Sequence, residues 1–314
     1  MRILLATDLS PEAEIAQTLV MGMPLQCGSR IRVVLALEPL ATVSMLATGA
    51  MLDALGPAVE EARRELAKVT RILERPRVEI ETAVVLGRAA DVIVDECAAF
   101  QPDIIVMGNR GRGAIATNLL GSVSAEVIDR ASAPVLIARR PTLTNVVLAE
   151  DGSSSAAAGA RVLAGYAPFA NASVHVVSVT DVPYPMVLAD PTGTDTAVEA
   201  FASFQRSLSD TRTRQDATLS VRLHALRDLG IHASAERRDG RAAHELVAAA
   251  VECNADCIVI GGRGHTGLRR MMLGSVARSV LYHAPCSVLI AHDTSSVERA
   301  PRGRELATVS GKEV

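Results

Sequence analysis

Two stretches of this chain space their glycines in a way that could hold an anion. One reads GNRGRGAIATNLLGS, residues 108–122, and the other GGRGHTGLRRMMLGS, residues 261–275. In the first, Gly108 and Gly111 stand close together, nine residues follow, and Gly121-Ser122 comes next. No single tight turn needs that schedule. Glycines at the end of a strand permit positive φ and let backbone N–H groups approach an anion without an intervening side chain. After the spacer, Val123, Val127, Ile128 and Ala131 fall on one helical face, which predicts a helix starting near Ser122. Its unpaired N–H groups and positive dipole end suit a phosphate. Ser122 and Ser124 add hydroxyls, and Arg110 and Arg112 could neutralise charge. The second stretch offers Arg263 with His265, then Arg269 and Arg270. The expectation is two anion contacts in series, with the spacer looping over a polyphosphate. Ordinary turn and helix-cap glycines remain the alternative for either stretch alone.

The two stretches belong to an internal repeat. GRAA occurs at 87–90 and at 240–243, an offset of 153, and VLIA at 135–138 recurs at 288–291. Comparing 87–138 with 240–291 gives 21 identities in 52 positions without a gap. Upstream, LLATDLS at 4–10 pairs with VLAEDGS at 147–153 at an offset of 143. The second copy therefore carries about ten extra residues. The segment 181–197, crowded with Pro, Gly, Asp and Thr, is the expected host, as a loop. The copies run over 1–141 and 142–293, and 294–314 reads as a mobile polar tail.

The elements that must position these residues alternate. In copy one the apolar runs are 2–7, 31–37, 78–85, 103–108 and 134–138. Helical patterns occupy Glu12 to Gln26, residues 52–74 and residues 89–100. Copy two repeats the runs as NVVLAE, SVHVVSV, IHASAERR, DCIVIG and SVLIA. Strands alternating with helices imply right-handed βαβ units and a parallel sheet, and near-continuous Val, Ile and Leu suit strands buried on both faces. The fold class is α/β. Ligands in such sheets bind beyond the carboxyl ends of the strands. That brings TDLS and EDGS, after the first strands, beside the glycine stretches. Asp8 and Asp151 there read as helix N-caps, as polar contacts to a base or ribose, or as both.

Other chemistries fit less well. The P-loop pattern with its lysine is absent. G-x-G-x-x-G/A matches at Gly111-Gly113-Ala116 and Gly262-Gly264-Gly267 are out of register, because Gly262 aligns with Asn109. Cys253 and Cys257 form a C-x3-C pair with no second pair to complete a zinc site. Of seven histidines only His265 lies in a suspected site. The net charge of −3 argues against binding nucleic acid by phosphate neutralisation, and 2% aromatics argue against base stacking. No apolar run is long enough to insert in a membrane. An odd, irregular set of five cysteines reads as reduced cytoplasmic thiols.

With Gly108-x2-Gly111-x9-Gly121-Ser122, Gly261-x2-Gly264-x9-Gly274-Ser275 and the first-strand Asp in place, the chain resembles the universal stress protein family in tandem form. The resemblance covers nearly the whole chain. It implies two tandem Rossmann-like domains, each a five-stranded parallel sheet of order 3-2-1-4-5 with helices on both faces, that bind ATP. Carried over by position, it implies that Ala6, Thr7, Asp8 and Leu37 hold adenine and ribose, partly through main chain. Gly108, Gly111, Gly121, Ser122, Val123 and Ser124 would hold phosphates, with Arg110, Arg112 and Gly113 beside them. The second set is Ala149, Glu150, Asp151, Val179, Gly261, Arg263, Gly264, Gly274, Ser275, Val276 and Ala277. Asp8 or Asp151 could meet Mg²⁺ through the phosphates. Family members commonly pair through the last strand, so PVLIA and SVLIA are expected to pair within the chain as a pseudo-dimer, and two chains could associate further.

Two departures stand out. Glu150 replaces Thr7 and places a carboxylate near an anionic ligand, while Ala277 replaces Ser124 and loses a hydroxyl. They lead to the expectation that copy one binds ATP at least as tightly as copy two. No catalytic residues or metal ligands are assigned. The expected function is an ATP-binding regulatory module of the stress response with slow hydrolysis at most. The alternatives are a nucleotide-independent protein that binds an unidentified protein partner, supported by the polar helical region around 197–229, and an adenylate-transferring enzyme.

Overall fold

Side-chain alternation along the strands decides which layer each residue joins. The computed structural model describes residues 1–38, 49–111, 120–181, 195–262 and 273–292. In the first half the elements are β1 (Arg2–Ala6), α1 (Pro11–Gly22), β2 (Ser29–Leu37), α2 (Gly49–Leu73), β3 (Val78–Leu86), α3 (Ala89–Phe100), β4 (Ile104–Gly108), α4 (Ser122–Arg130) and β5 (Val135–Ala138). The second half follows with β6 (Asn145–Ala149), α5 (Ser154–Gly165), β7 (Ser173–Thr180), α6 (Asp195–Asp228), β8 (His232–Asp239), α7 (Ala242–Glu252), β9 (Cys257–Gly261), α8 (Ser275–His283) and β10 (Ser287–Ala291). Successive strand residues point to opposite faces. Ile3 and Leu5 therefore enter one core with α1, α2, α5 and α6, while Leu4 and Ala6 enter the other with α3, α4, α7 and α8. Both faces are covered, which is why the strands read as unbroken apolar runs.

The strand order is β3-β2-β1-β4-β5-β10-β9-β6-β7-β8. Each half is thus the expected 3-2-1-4-5 parallel sheet. The halves meet where β5 and β10 pair antiparallel, with Val288 opposite Ile137, Leu289 opposite Leu136 and Ile290 opposite Val135. This seam is the expected pairing of PVLIA with SVLIA. It removes two sheet edges, leaving β3 and β8 as the outer ones. Among the described residues no helix is long and apolar enough to cross a membrane.

Two boundaries differ from the sequence reading. The helix expected to reach Gln26 stops at Gly22, because Pro24 disfavours helical geometry at Met23, whose ψ is 133°. The extra length of the second half does not sit mainly in a loop at 181–197. Helix α6 has 34 residues against 25 in α2 and already includes Asp195. Residues 182–194 and 293–314 lie outside the described residues.

The seam generates a stability prediction. Leu136 and Leu289 are fully buried, face each other and join the same core. Leu136→Ala and Leu289→Ala should each cost about 2–5 kcal/mol in urea unfolding. The double variant should depart from the sum of the two singles, because the deletions share one cavity.

Candidate functional site

The switch point of each half lies between the carboxyl ends of β1 and β4, or of β6 and β9. At the end of β1 the Thr7 N–H donates to the Val34 carbonyl at 2.9 Å, and Glu150 repeats this with Val177 at 2.9 Å. The chain then turns through Leu9, at φ 62°, and in the second half through Gly152, at φ 82°. Glycine carries that conformation without strain, whereas Leu9 relies on bonded neighbours. Thr7 Oγ1 accepts from Leu9 N at 3.1 Å, and Glu150 Oε1 accepts from Gly152 N at 2.8 Å.

Asp8 and Asp151 are not the N-caps that their positions suggest. The caps are Ser10 and Ser153, whose hydroxyls accept from Ala13 N at 3.3 Å and Ala156 N at 3.1 Å. Asp8 Oδ1 accepts from Ser10 N at 3.1 Å and Ser10 Oγ at 2.6 Å, and Asp151 Oδ1 accepts from Ser153 N at 2.9 Å. Each aspartate orders the residue that caps the helix.

Gly108, Gly111 and Gly261 owe their identity to close packing rather than to positive φ. A Cβ on Gly108 would come within 2.8 Å of the Glu12 carbonyl carbon, and one on Gly261 within 2.7 Å of the Ser155 carbonyl carbon. The first turns of α1 and α5 pass directly over these strand ends. A Cβ on Gly111 would lie 2.5 Å from Asp8 Oδ2, so the aspartate packs against that glycine. Gly121 has φ −65° and Gly274 φ −61°, ordinary values for an N-cap. Their N–H groups donate to the carbonyls of Asn109 at 3.0 Å and Gly262 at 2.8 Å. The nine-residue spacing therefore brings the chain back to its starting point in both halves.

Helices α4 and α8 start without a side-chain cap, unlike α1 and α5. Ser122 and Ser275 are exposed at these starts. Ser124 is not: it is buried, and its hydroxyl donates to the Gly108 carbonyl at 3.2 Å, tying α4 to β4. The hydroxyl expected to meet phosphate is turned inward. Arg112, Gly113, Arg263, Gly264, His265, Arg269 and Arg270 lie outside the described residues.

In the second half these pieces enclose a cleft of about 420 Å³. Ala149, Glu150, Asp151, Val179, Gly261, Gly274, Ser275, Val276 and Ala277 all line it. So do Ser153, Ala156, Val177, Asp181, Ala242, Leu246 and Ile260, which sequence reasoning missed. The signals were available: Val177 lies two residues before Val179 on the same strand face, and Ala242 belongs to the second GRAA. The same logic corrects Leu37. Its carbonyl accepts from Gly87 N at 3.0 Å, as Thr180 accepts from Gly240 N at 3.0 Å, so Leu37 matches Thr180 and Ala36 matches Val179. Leu37 packs against the opposite core, whereas Ala36 and Val179 share the core on the cleft side.

Among the described residues no group of three or more His, Cys, Asp or Glu could hold a metal ion. Cys253 is exposed while Cys257 is fully buried, and burial pushes the Cys257 thiol well above its usual pKa.

The sequence model of the universal stress protein family matches residues 1–139 and again 142–292. The chain belongs to that family. One relative, a universal stress protein from Thermus aquaticus, is 36% identical over 138 residues, which are 44% of this chain and 97% of the relative. A universal stress protein from Mycobacterium tuberculosis is 28% identical over 62% of this chain and 63% of its own length. Among solved structures, a universal stress protein from Archaeoglobus fulgidus matches with a TM-score of 0.63 at 21% identity, over 93% of this chain and 96% of that one. At that identity the likeness shows the fold.

Within this universal stress protein the two halves differ at Glu150, which stands where the first half has Thr7. Its side chain is fully buried and Oε2 meets Arg222 Nε of α6 at 2.5 Å. The carboxylate expected to oppose an anion is thus neutralised by a partner that the sequence reading did not foresee. In the first half the residue matching Arg222 is Val69, buried in the core, and Thr7 is held by Gln17 Nε2 at 3.2 Å. Arg222→Leu should cost about 3–5 kcal/mol, because it leaves a buried charge unpaired. Glu150→Thr with Arg222→Val, which copies the first half, should recover most of that loss in urea unfolding.

Proposed function

We propose that each half of this universal stress protein is an ATP-binding module and that the chain acts as a cytoplasmic regulator of the stress response. The observation that carries the reading is the pairing, in both halves, of an uncapped helix start with a chain pinned back to the end of the fourth strand. Free first-turn N–H groups and the positive helix end favour a phosphate there. In the second half the helix start opens into a cleft walled by Val177, Val179, Leu246 and Ile260, which suits an apolar base ring, while Asp151, also on its lining, is assigned to the ribose.

The residues assigned to phosphate are Gly111 and the main chain of Ser122, Val123 and Ser124, with Arg110 nearby. In the second half they are the main chain of Ser275, Val276 and Ala277. In this reading Asp8 or Asp151, besides its contact to the ribose, could meet Mg²⁺ carried by the phosphates. Both grounds for ranking the first half above the second weaken, since Glu150 is paired with Arg222 and the Ser124 hydroxyl is tied to Gly108. The reading is therefore two ATP molecules per chain. The cradles hold phosphate without a P-loop lysine, and any hydrolysis is slow; rapid metal-dependent turnover would contradict this.

A charge change separates phosphate binding from stability. Ser275 is the first helical residue of α8 and is exposed. Ser275→Asp should leave the melting temperature unchanged or raise it, because an acid at a helix start stabilises the helix by about 0.3–1 kcal/mol. It should also remove one of two ATP equivalents in isothermal titration. Unchanged stoichiometry would discard the phosphate assignment. Failure of the wild-type chain to bind any ATP would instead favour a nucleotide-independent protein that binds a protein partner.

A further inference from the structure

Arg139 follows β5 at the seam and reaches into the other half. Its Nη1 donates to the carbonyls of Ala284 at 3.0 Å and Cys286 at 3.3 Å, and its Nη2 to that of Leu281 at 2.5 Å. Leu281 lies in the last turn of α8, where carbonyls have no partner within the helix and a cation is favoured. The same Nη2 donates to Asn109 Oδ1 at 2.8 Å. Asn109 is the residue whose carbonyl accepts from Gly121 N at 3.0 Å, at the base of the first-half cradle. The main chain of Arg139 is fixed as well: its N–H and that of Arg140 each donate to Ser287 Oγ of β10 at 3.1 Å.

We propose that Arg139 is a positioning residue of the first-half ATP site, holding Asn109 so that its carbonyl pins Gly121 at the start of α4, and taking its own place from the C-terminal turn of α8. The inference rests on the ATP reading above and adds to it a residue outside the glycine signature. The first cradle is then complete only when the second half is docked on the seam. A guanidinium suits this post, because its rigid fork can serve several carbonyl oxygens at once. Burial lowers the Arg139 pKa to about 10, which still leaves the group charged at neutral pH. A contact in the other direction accompanies it: Asp129 Oδ1, near the end of α4, accepts from Leu273 N at 3.2 Å, next to Gly274 of the second cradle.

The test uses the full chain and 8-azido-ATP, with labelled peptides assigned to residues 1–141 or 142–293. Arg139→Met should raise the half-saturating concentration for first-half labelling about tenfold, in keeping with the loss of a charged hydrogen bond, and leave second-half labelling unchanged. Arg139→Lys should lose nearly as much, since one ammonium cannot span the carbonyls and the amide. Asn109→Ala should match Arg139→Met, and the double variant should be no worse than either single. Arg140→Met, which removes a neighbouring charge without touching the bridge, should leave both halves unchanged. Full rescue by lysine, or equal weakening of both halves, would overturn the positioning role. If the wild-type chain takes no label, the ATP reading itself has failed. Amide exchange at Gly121 then decides whether Arg139 holds the cradle: faster exchange in Arg139→Met supports it, and unchanged protection refutes it.

Discussion

Three antiparallel residue pairs between β5 and β10 turn two parallel sheets into one. A five-stranded parallel sheet has two edges, and one ending in PVLIA would leave bare an apolar edge with unpaired N–H and C=O groups. Pairing the last strands of the halves satisfies those groups. It also lets each core run across the seam, with Leu136 and Leu289 in one cluster and Ile137, Val288 and Ile290 in the other. The helices that follow β4 and β9 are brought to either side of the same line. Their N-termini are held at the carboxyl ends of β4 and β9, while contacts near their C-terminal ends reach the opposite half.

Each half meets the same physical demands with partly different residues. The turn after the first strand needs an acceptor for one N–H group, and Thr7 supplies a hydroxyl where Glu150 supplies a carboxylate. A buried hydroxyl is satisfied by Gln17, whereas a buried carboxylate needs a cation, and Arg222 arrives from α6 where the first half has Val69. Such a pair adds little net stability compared with an apolar or neutral arrangement, but neither partner can be lost alone. The two substitutions therefore belong to one event in structural terms, although they lie 72 residues apart. Ser124 and Ala277 differ in another way. Both are buried, and only the serine ties its helix to the strand before it.

Much of this was legible in the sequence. A repeat at an offset of 153 and apolar runs alternating with helical patterns lead to two halves with parallel sheets, the family resemblance adds the strand order, and the position of the glycines leads to the carboxyl end of the sheet. What was not legible depends on through-space contacts. Gly108 looks like a residue chosen for backbone freedom, and only the passage of α1 over it shows that a Cβ would meet the Glu12 carbonyl. Ser124 follows Ser122 by two residues, yet a helix turns them about 200° apart, one outward and one inward. Leu37 was placed one residue out of step with its twin because a shift of one in a strand reverses the face. The extra length of the second half went into α6, since Thr, Ser and Gln on an exposed helix face carry no strong loop signal.

The seam also shows what a tandem chain can do that two identical chains cannot. In a two-fold dimer every interface contact occurs twice, so a residue must suit both its own place and its symmetry-related one. Here the residue matching Arg139 is His292, and the residue matching Asn109 is Gly262. The residues matching Asp129 and Leu273 are Tyr282 and Leu120. Arg139 reaches from the first half into the last turn of α8, and neither partner of its bond to Asn109 is repeated at the matching positions. Joining the halves in one chain freed these positions to diverge. The starts of α4 and α8 thus keep matching bonds from Gly121 to Asn109 and from Gly274 to Gly262 while being braced by unlike side chains, so a change at the seam can act on one half alone.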